Sequence, residues 1–189
     1  MRRVVIAAGA LALLAGASVA SAQSRWLLEL TGGAAFATEK VVGEDLNTGF
    51  GLGLAAGYRF LPHLSVYGGW DWHQFSVDNV AGDLDLVDNG YMFGLRFEHP
   101  LVARVSYWAR AGGVANHIEV EDDGNLMWDS GHDLGWEVGG GLSVPIGERL
   151  KLTPGLRFRS LSRDVDIDGV RTPTDVRYVV VGTGLAWTF

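Results

Sequence analysis

DVRYVVVGTGLAWTF, residues 175–189, is the stretch that decides the fold. From Val179 every second residue is apolar or nearly so: Val179, Val181, Thr183, Leu185, Trp187 and Phe189. Between them stand Tyr178, Val180, Gly182, Gly184, Ala186 and Thr188, most of them small. A period of two with one greasy face is a strand, and the thinned face fits a crowded space. Chain ends fray in water, so Trp187 and Phe189 as final anchors call for another setting. A strand whose outer face meets lipid, with its last aromatics at the membrane interface, supplies one.

Working outward, the front of the chain carries an export address. Met1-Arg2-Arg3 is basic, Val4 to Ala20 is apolar, and Ala20-Ser21-Ala22 has the small-x-small pattern of signal-peptide cleavage. Residues 1–22 are therefore expected to be a cleaved signal, and 23–189 a single domain. The competing reading, an inner-membrane anchor helix, sits at the lower limit of spanning length. Beyond Ala22 no apolar run reaches the length of a membrane helix, so later insertion has to use strands. The sequence has no cysteine, which removes disulfides, thiolate chemistry and cysteine–zinc sites. Its net charge of −7 argues against nucleic acid as a partner.

The mature chain divides into eight alternating segments: 26–36, 50–60, 63–75, 90–98, 104–116, 133–144, 150–160 and 176–189. Each is close to the roughly 9–11 residues a tilted strand needs to cross a bilayer. Connections alternate long and short. The long ones are 37–49, 76–89, 117–132 and 161–175; the short ones, 61–62, 99–103 and 145–149, hold Pro62, Pro100 and Pro145, where a missing ladder donor does least harm. The expected fold is all-β: an eight-stranded antiparallel up-and-down transmembrane β-barrel, with short turns toward the periplasm and long loops extracellular.

Parity assigns the faces. Large apolar residues, including Trp26, Leu30, Leu54, Tyr58, Phe60, Trp70, Phe93, Phe97 and Trp136, share one side of their strands. Glu29, Asp71, His73, Arg96, Arg110, Glu137, Arg157 and Arg159 share the other. A soluble barrel would bury the apolar set and expose the charges. Here nothing else in the chain is available to cover so broad an apolar band, so lipid is the expected cover. The charged set then fills a lumen just wide enough for side chains, as a salt-bridged polar plug. Trp108 falls on the polar parity and Arg177 on the apolar one; a bulge is expected at the first, and lipid phosphates near the second.

On these residues the chain resembles the small eight-stranded outer-membrane barrels of the OmpA and OmpX type, the porin-family barrels of Gram-negative cell envelopes. The Ala20-Ser21-Ala22 exit, the alternating strands, the four long loops and Leu185-Ala186-Trp187-Thr188-Phe189 carry the likeness. It implies integral residence in the bacterial outer membrane, contact with its lipid and lipopolysaccharide, and delivery to the barrel-assembly machinery, with Trp26, Tyr58, Phe60, Phe97, Trp187 and Phe189 as interface and assembly residues. It implies little about activity, since such barrels serve structural, adhesive and enzymatic ends. Without an OmpA-like wall-binding segment in the sequence read to Phe189, cell-wall tethering is not among the expectations carried over. A monomer is expected.

The long connections hold sixteen acidic residues against three basic ones, a net −13. A solvated, self-repelling surface accounts for this; so does divalent-cation binding that bridges to lipopolysaccharide or a partner. Asp164, Asp166, Asp168 and Asp175, with Gly169, have the spacing of a calcium loop. An outward continuation of the seventh strand produces the same alternation. For lipid-modifying catalysis the raw material is Asp71, His73 and Ser76, with His117 or His132, but no nucleophile motif frames them. The expectation is a non-enzymatic barrel with an envelope or surface-interaction role, a narrow or gated pore being the alternative.

Overall fold

The structure, a computed structural model, describes residues 25–38, 47–76, 84–122, 125–129, 133–167 and 170–189. Its strands are β1 (Trp26–Ala37), β2 (Gly49–Leu61), β3 (Leu64–Ser76), β4 (Leu84–Val102), β5 (Val105–Asp122), β6 (Asn125–Asp129), β7 (Asp133–Pro145), β8 (Leu150–Leu152), β9 (Gly155–Ile167) and β10 (Val170–Thr188). Antiparallel ladders run from β1 through β2, β3, β4, β5, β7 and β9 to β10, and β10 pairs back with β1. The ring has eight strands and no free edge, which answers the unpaired-backbone problem of a sheet in lipid.

Two elements stand outside that count. β6 pairs with the far end of β5 as a ribbon above the ring. β8 is the foot of the seventh barrel strand, set off from β9 by Thr153 and Pro154 and paired with β7 and β10. Proline has no N–H to give the ladder, yet its carbonyl still accepts: Leu142 N–H donates to Pro154 O at 2.9 Å. Thr153 exchanges backbone bonds with Gly184 at 2.8 and 3.2 Å, so the wall stays closed through the break.

The strands run further than the alternation suggested. β4 has 19 residues and β5 has 18, so much of 76–89 and 117–132 is sheet. Acidic residues read as loop are ladder residues: Asp85 accepts from Gln74 Nε2 at 2.5 Å and from Ser76 Oγ at 3.0 Å. The stretch 161–175 is likewise a hairpin, its arms paired out to Ile167 and Val170. Charge density marked these segments as irregular, whereas backbone pairing continues beyond the apolar band. At the other end the turns are tight. Ala103, between β4 and β5, has φ 52°, a left-handed conformation that a Cβ resists. Ala103→Gly is therefore expected to stabilise the barrel by about 1 kcal/mol, read as a higher urea midpoint at unchanged slope.

Facing follows parity. Leu30, Phe93, Leu134, Trp136 and Leu156 are each half or more exposed on the outer wall. Two aromatic girdles border that band. At the short-turn end Trp26 meets Tyr58 (5.0 Å between centroids) and Trp187 meets Phe189 (6.3 Å). At the other end Phe50 meets Trp72 (5.2 Å) and Trp136 meets Phe158 (5.4 Å). An apolar belt between two aromatic rings is the lipid-facing signature of a membrane barrel.

Trp108 corrects the expectation of a bulge. The β5 ladder is regular there, with Trp108 opposite Glu98 and Gly141, and the indole points into the lumen. It fits because Gly141 and Gly155 leave the space: a Cβ on either would stand 2.9 or 2.4 Å from the ring. Arg177 is half-buried near the top of β10, and its carbonyl accepts from Thr38 N–H and Oγ1 at 2.8 and 3.0 Å.

Candidate functional site: a closed, charged lumen

The inward side chains form three tiers. Nearest the short turns, Arg96 from β4 reaches Glu29 on β1, with Nη1 3.1 Å from both carboxylate oxygens. Thr153 Oγ1 donates to the same carboxylate at 2.7 Å. Glu98 is held by Lys151 at 2.6 Å and faces Arg96 at 3.6 Å. Trp108 lies under this tier, its ring centroid 4.9 Å from the Arg96 guanidinium carbon, its Nε1 donating to Leu142 O at 3.1 Å.

Arg159 organises the middle tier and is fully buried. Its Nε and Nη2 donate to Glu137 Oε2 at 3.1 and 2.9 Å, and its Nη1 and Nη2 clasp both oxygens of Asp71, the Nη1 bond being 2.9 Å. Arg110 closes on the other oxygen of Glu137 at 2.8 Å, and Tyr67 Oη donates there at 2.7 Å. Asp71 also has Arg157 at 3.8 Å. Asp88 accepts from Tyr178 Oη and Asn116 Nδ2, and His73 Nδ1 stands 3.4 Å from the same phenol. Four carboxylates (Glu29, Asp71, Asp88, Glu137) face four guanidiniums (Arg96, Arg110, Arg157, Arg159), so buried charge balances.

Above the charges the lumen turns apolar. Phe75, Leu86 and Ile118 from β3, β4 and β5, and Leu161 and Val176 from β9 and β10, are all buried in one cluster with Val114 and Met92. The polar plug thus has a hydrophobic lid on the side of the long connections. Between the charged tiers a small cavity of about 20 Å³ lies beside Glu29, Arg110 and Arg157, room for a water molecule or so.

The structure brings the eight lumen residues read from sequence into this network: Glu29, Asp71, His73, Arg96, Arg110, Glu137, Arg157 and Arg159 are all buried. Parity also puts Asn116 on the inward face, whereas Tyr67, Asp88, Trp108 and Tyr178 are members that sequence reading misses. Tyr67 and Tyr178 carry the right parity, but a phenol reads as apolar until its hydroxyl finds a carboxylate. Asp88 falls in the 76–89 stretch that the alternation marks as a connection. The interface residues Trp26, Tyr58, Phe60, Phe97, Trp187 and Phe189 line the outer wall toward the short turns.

The calcium spacing is not wrapped into a loop. Asp164 and Asp166 lie on β9 opposite Pro173 and Arg171, and Asp175 lies on β10 opposite Ser162; Asp168 falls outside the described residues. Among the described residues no group of three or more His, Cys, Asp and Glu is placed to hold a metal ion. The enzyme constellation is also dispersed. Asp71 is bound to Arg159, Ser76 Oγ donates to Asp85 at 3.0 Å, and His117 contacts Glu119 at 2.9 Å. His132 lies outside the described residues.

A family model described as the outer membrane protein beta-barrel domain matches residues 5–189. The chain belongs to this outer membrane protein beta-barrel family. Solved structures agree on the fold. Neisserial surface protein A is 19% identical with a TM-score of 0.67, over 87% of this chain and 97% of that one. Ail, the attachment invasion locus protein of Yersinia pestis, is 14% identical with a TM-score of 0.53, over 88% and 100%. The outer membrane protein OprG from Pseudomonas aeruginosa is 15% identical with a TM-score of 0.53, over 87% and 97%. No curated protein matches the sequence. As a member of the family, the chain is an integral protein of the bacterial outer membrane.

Proposed function

We propose that this barrel is a closed, non-enzymatic envelope protein that acts through the surface at its long-connection end, which faces the cell exterior while the short turns face the periplasm. The observation that carries this reading is the lumen itself: among the described residues, paired charges topped by a buried apolar layer fill it, so what differs between one such barrel and another is expected to be presented beyond the membrane. Insertion by the barrel-assembly machinery, reading the terminal strand, fits the same account, as does a monomer sealed without a partner.

Neighbours in fold include a surface protein and an attachment protein, which favours a recognition role. Ail has been solved with the heparin analogue sucrose octasulfate. A polysulfated ligand suits this chain poorly, because its long connections are strongly acidic. A basic protein surface, or lipopolysaccharide phosphate bridged by divalent cations, matches that charge. Planar-bilayer recording tests the central claim. The folded protein is expected to add no discrete conductance steps over the bare membrane; regular single-channel openings would replace this reading with a pore.

A further inference from the structure

The short-turn mouth of the barrel is a built cationic recess of about 200 Å³. Arg25, Arg59, Arg96 and Lys151 line it, and among the described lining residues Glu98 is the only carboxylate. That carboxylate is already committed to Lys151 and Arg96. Arg96 forms the floor; it is buried, spends Nη1 on Glu29, and keeps a buried Nε with no hydrogen-bond partner. Among the described residues Arg25 gives Nη1 to the neutral phenol of Tyr58 alone, at 3.3 Å. The half-buried Arg59 guanidinium has neither an ion pair nor a side-chain hydrogen bond among the described residues. Elsewhere in the lumen each guanidinium faces a carboxylate within 4 Å. Two guanidiniums without a bonded carboxylate among the described residues, the exposed Arg25 and the half-buried Arg59, thus meet in one recess, and holding like charges together costs energy unless an anion joins them.

We propose that this mouth binds a phosphoryl group, clamped by Arg59 and Arg25. Planar guanidinium forks match the oxygens of a phosphate, and the Ser65 and Ser106 hydroxyls on the same wall add neutral donors. The volume admits the group with an ester substituent. A second recess of about 170 Å³ shares Arg25 and Arg59 and continues over Phe60, Leu61 and Pro62 onto the outer wall. Cationic head and apolar flank together suit the headgroup of an anionic phospholipid whose acyl chains run along the lipid-facing band; free phosphate offers the same head chemistry without the flank. The site rests on the membrane placement above only for the lipid source.

The test uses the barrel folded in maltoside micelles and titrated calorimetrically with inorganic phosphate in one arm and with micelles doped with phosphatidylglycerol in the other, at matched chloride ionic strength. Saturable binding is expected, weakened roughly tenfold or more in Arg59→Gln and largely kept in Arg59→Lys. Heat-modifiable gel mobility verifies that each variant is folded, which an unpaired rim side chain should permit. Saturation by phosphate alone identifies the free anion as the source, and saturation only with phosphatidylglycerol identifies the headgroup; either supports the clamp. No saturable binding in both arms, or equal affinity in Arg59→Gln, overturns it. Channel openings in a bilayer would sink the closed-barrel reading and leave this titration untouched.

Discussion

Arg159→Met is expected to cost about 3–5 kcal/mol of folding stability, the largest loss for any single lumen substitution. The side chain is wholly buried and binds Glu137 through Nε and Nη2 and Asp71 through both terminal nitrogens, with Asp88 a further 3.8 Å away. Methionine replaces the apolar stem as far as the ε position and returns none of these donors. Glu137 retains Arg110 at 2.8 Å, whereas Asp71 is left with Arg157 at 3.8 Å alone. The cost is therefore dominated by a stranded Asp71 carboxylate in a site that excludes water. Removing the stranded charge should give part of the stability back, so Asp71→Asn in the Arg159→Met background is expected to raise the urea midpoint, although Asp71→Asn alone lowers it. Equilibrium urea unfolding in phospholipid vesicles, followed by tryptophan emission, measures both. Additive losses in the double variant would mean that the two side chains act independently, contrary to the bidentate geometry.

How much of this was legible in the sequence depends on which residues are asked about. The period of two is a local property, and it carried the strand count, the closed ring and the inward set from Glu29 to Arg159, because one residue of slip would put every charge into lipid. Three kinds of information are not local. The pairing of Arg159 with Asp71 spans 88 residues, and four inward arginines and several acids admit many matchings until the strand stagger is known. The true height of β4 and β5 was hidden because acidic residues such as Asp85 and Asp88 look like loop, yet pair across strands. The apolar lid was hidden for a different reason: Leu86, Ile118 and Leu161 fall in stretches that read as long connections, and Phe75 and Val176 stand at the long-connection ends of their segments, where alternation alone does not mark an inward apolar layer. The unpaired Arg59 shows the same limit. It stands on the inward parity of β2, but only the fold shows that it makes no ion pair among the described residues, the Glu98 of the same recess being held by Lys151 and Arg96.

Trp108 turns an apparent defect of the alternation into a second measurable expectation. An indole on the polar face is accommodated because Gly141 and Gly155, on strands beside it, have no side chains: a Cβ at Gly155 would lie 2.4 Å from the ring and 2.6 Å from Gly140 O. Neither obstacle is a flexible side-chain tip, since the ring is wedged below Arg96 and its Nε1 is bonded to Leu142 O. Gly155→Val should therefore overpack the lumen and displace the indole, at a cost of about 2–3 kcal/mol that includes the lost cation–π contact. Loss of stability alone would not separate this mechanism from general strain in the wall. Trp108→Ala supplies the separation, because it empties the space that valine needs. Placed together, the two substitutions are expected to cost clearly less than the sum of their separate losses, a coupling of about 1 kcal/mol or more. The backbone clash with Gly140 persists in the double variant, so recovery should be partial. A full sum would show that the valine strains the β7–β9 ladder by itself and that the glycine is there for the wall, with the indole lodged beside it by coincidence.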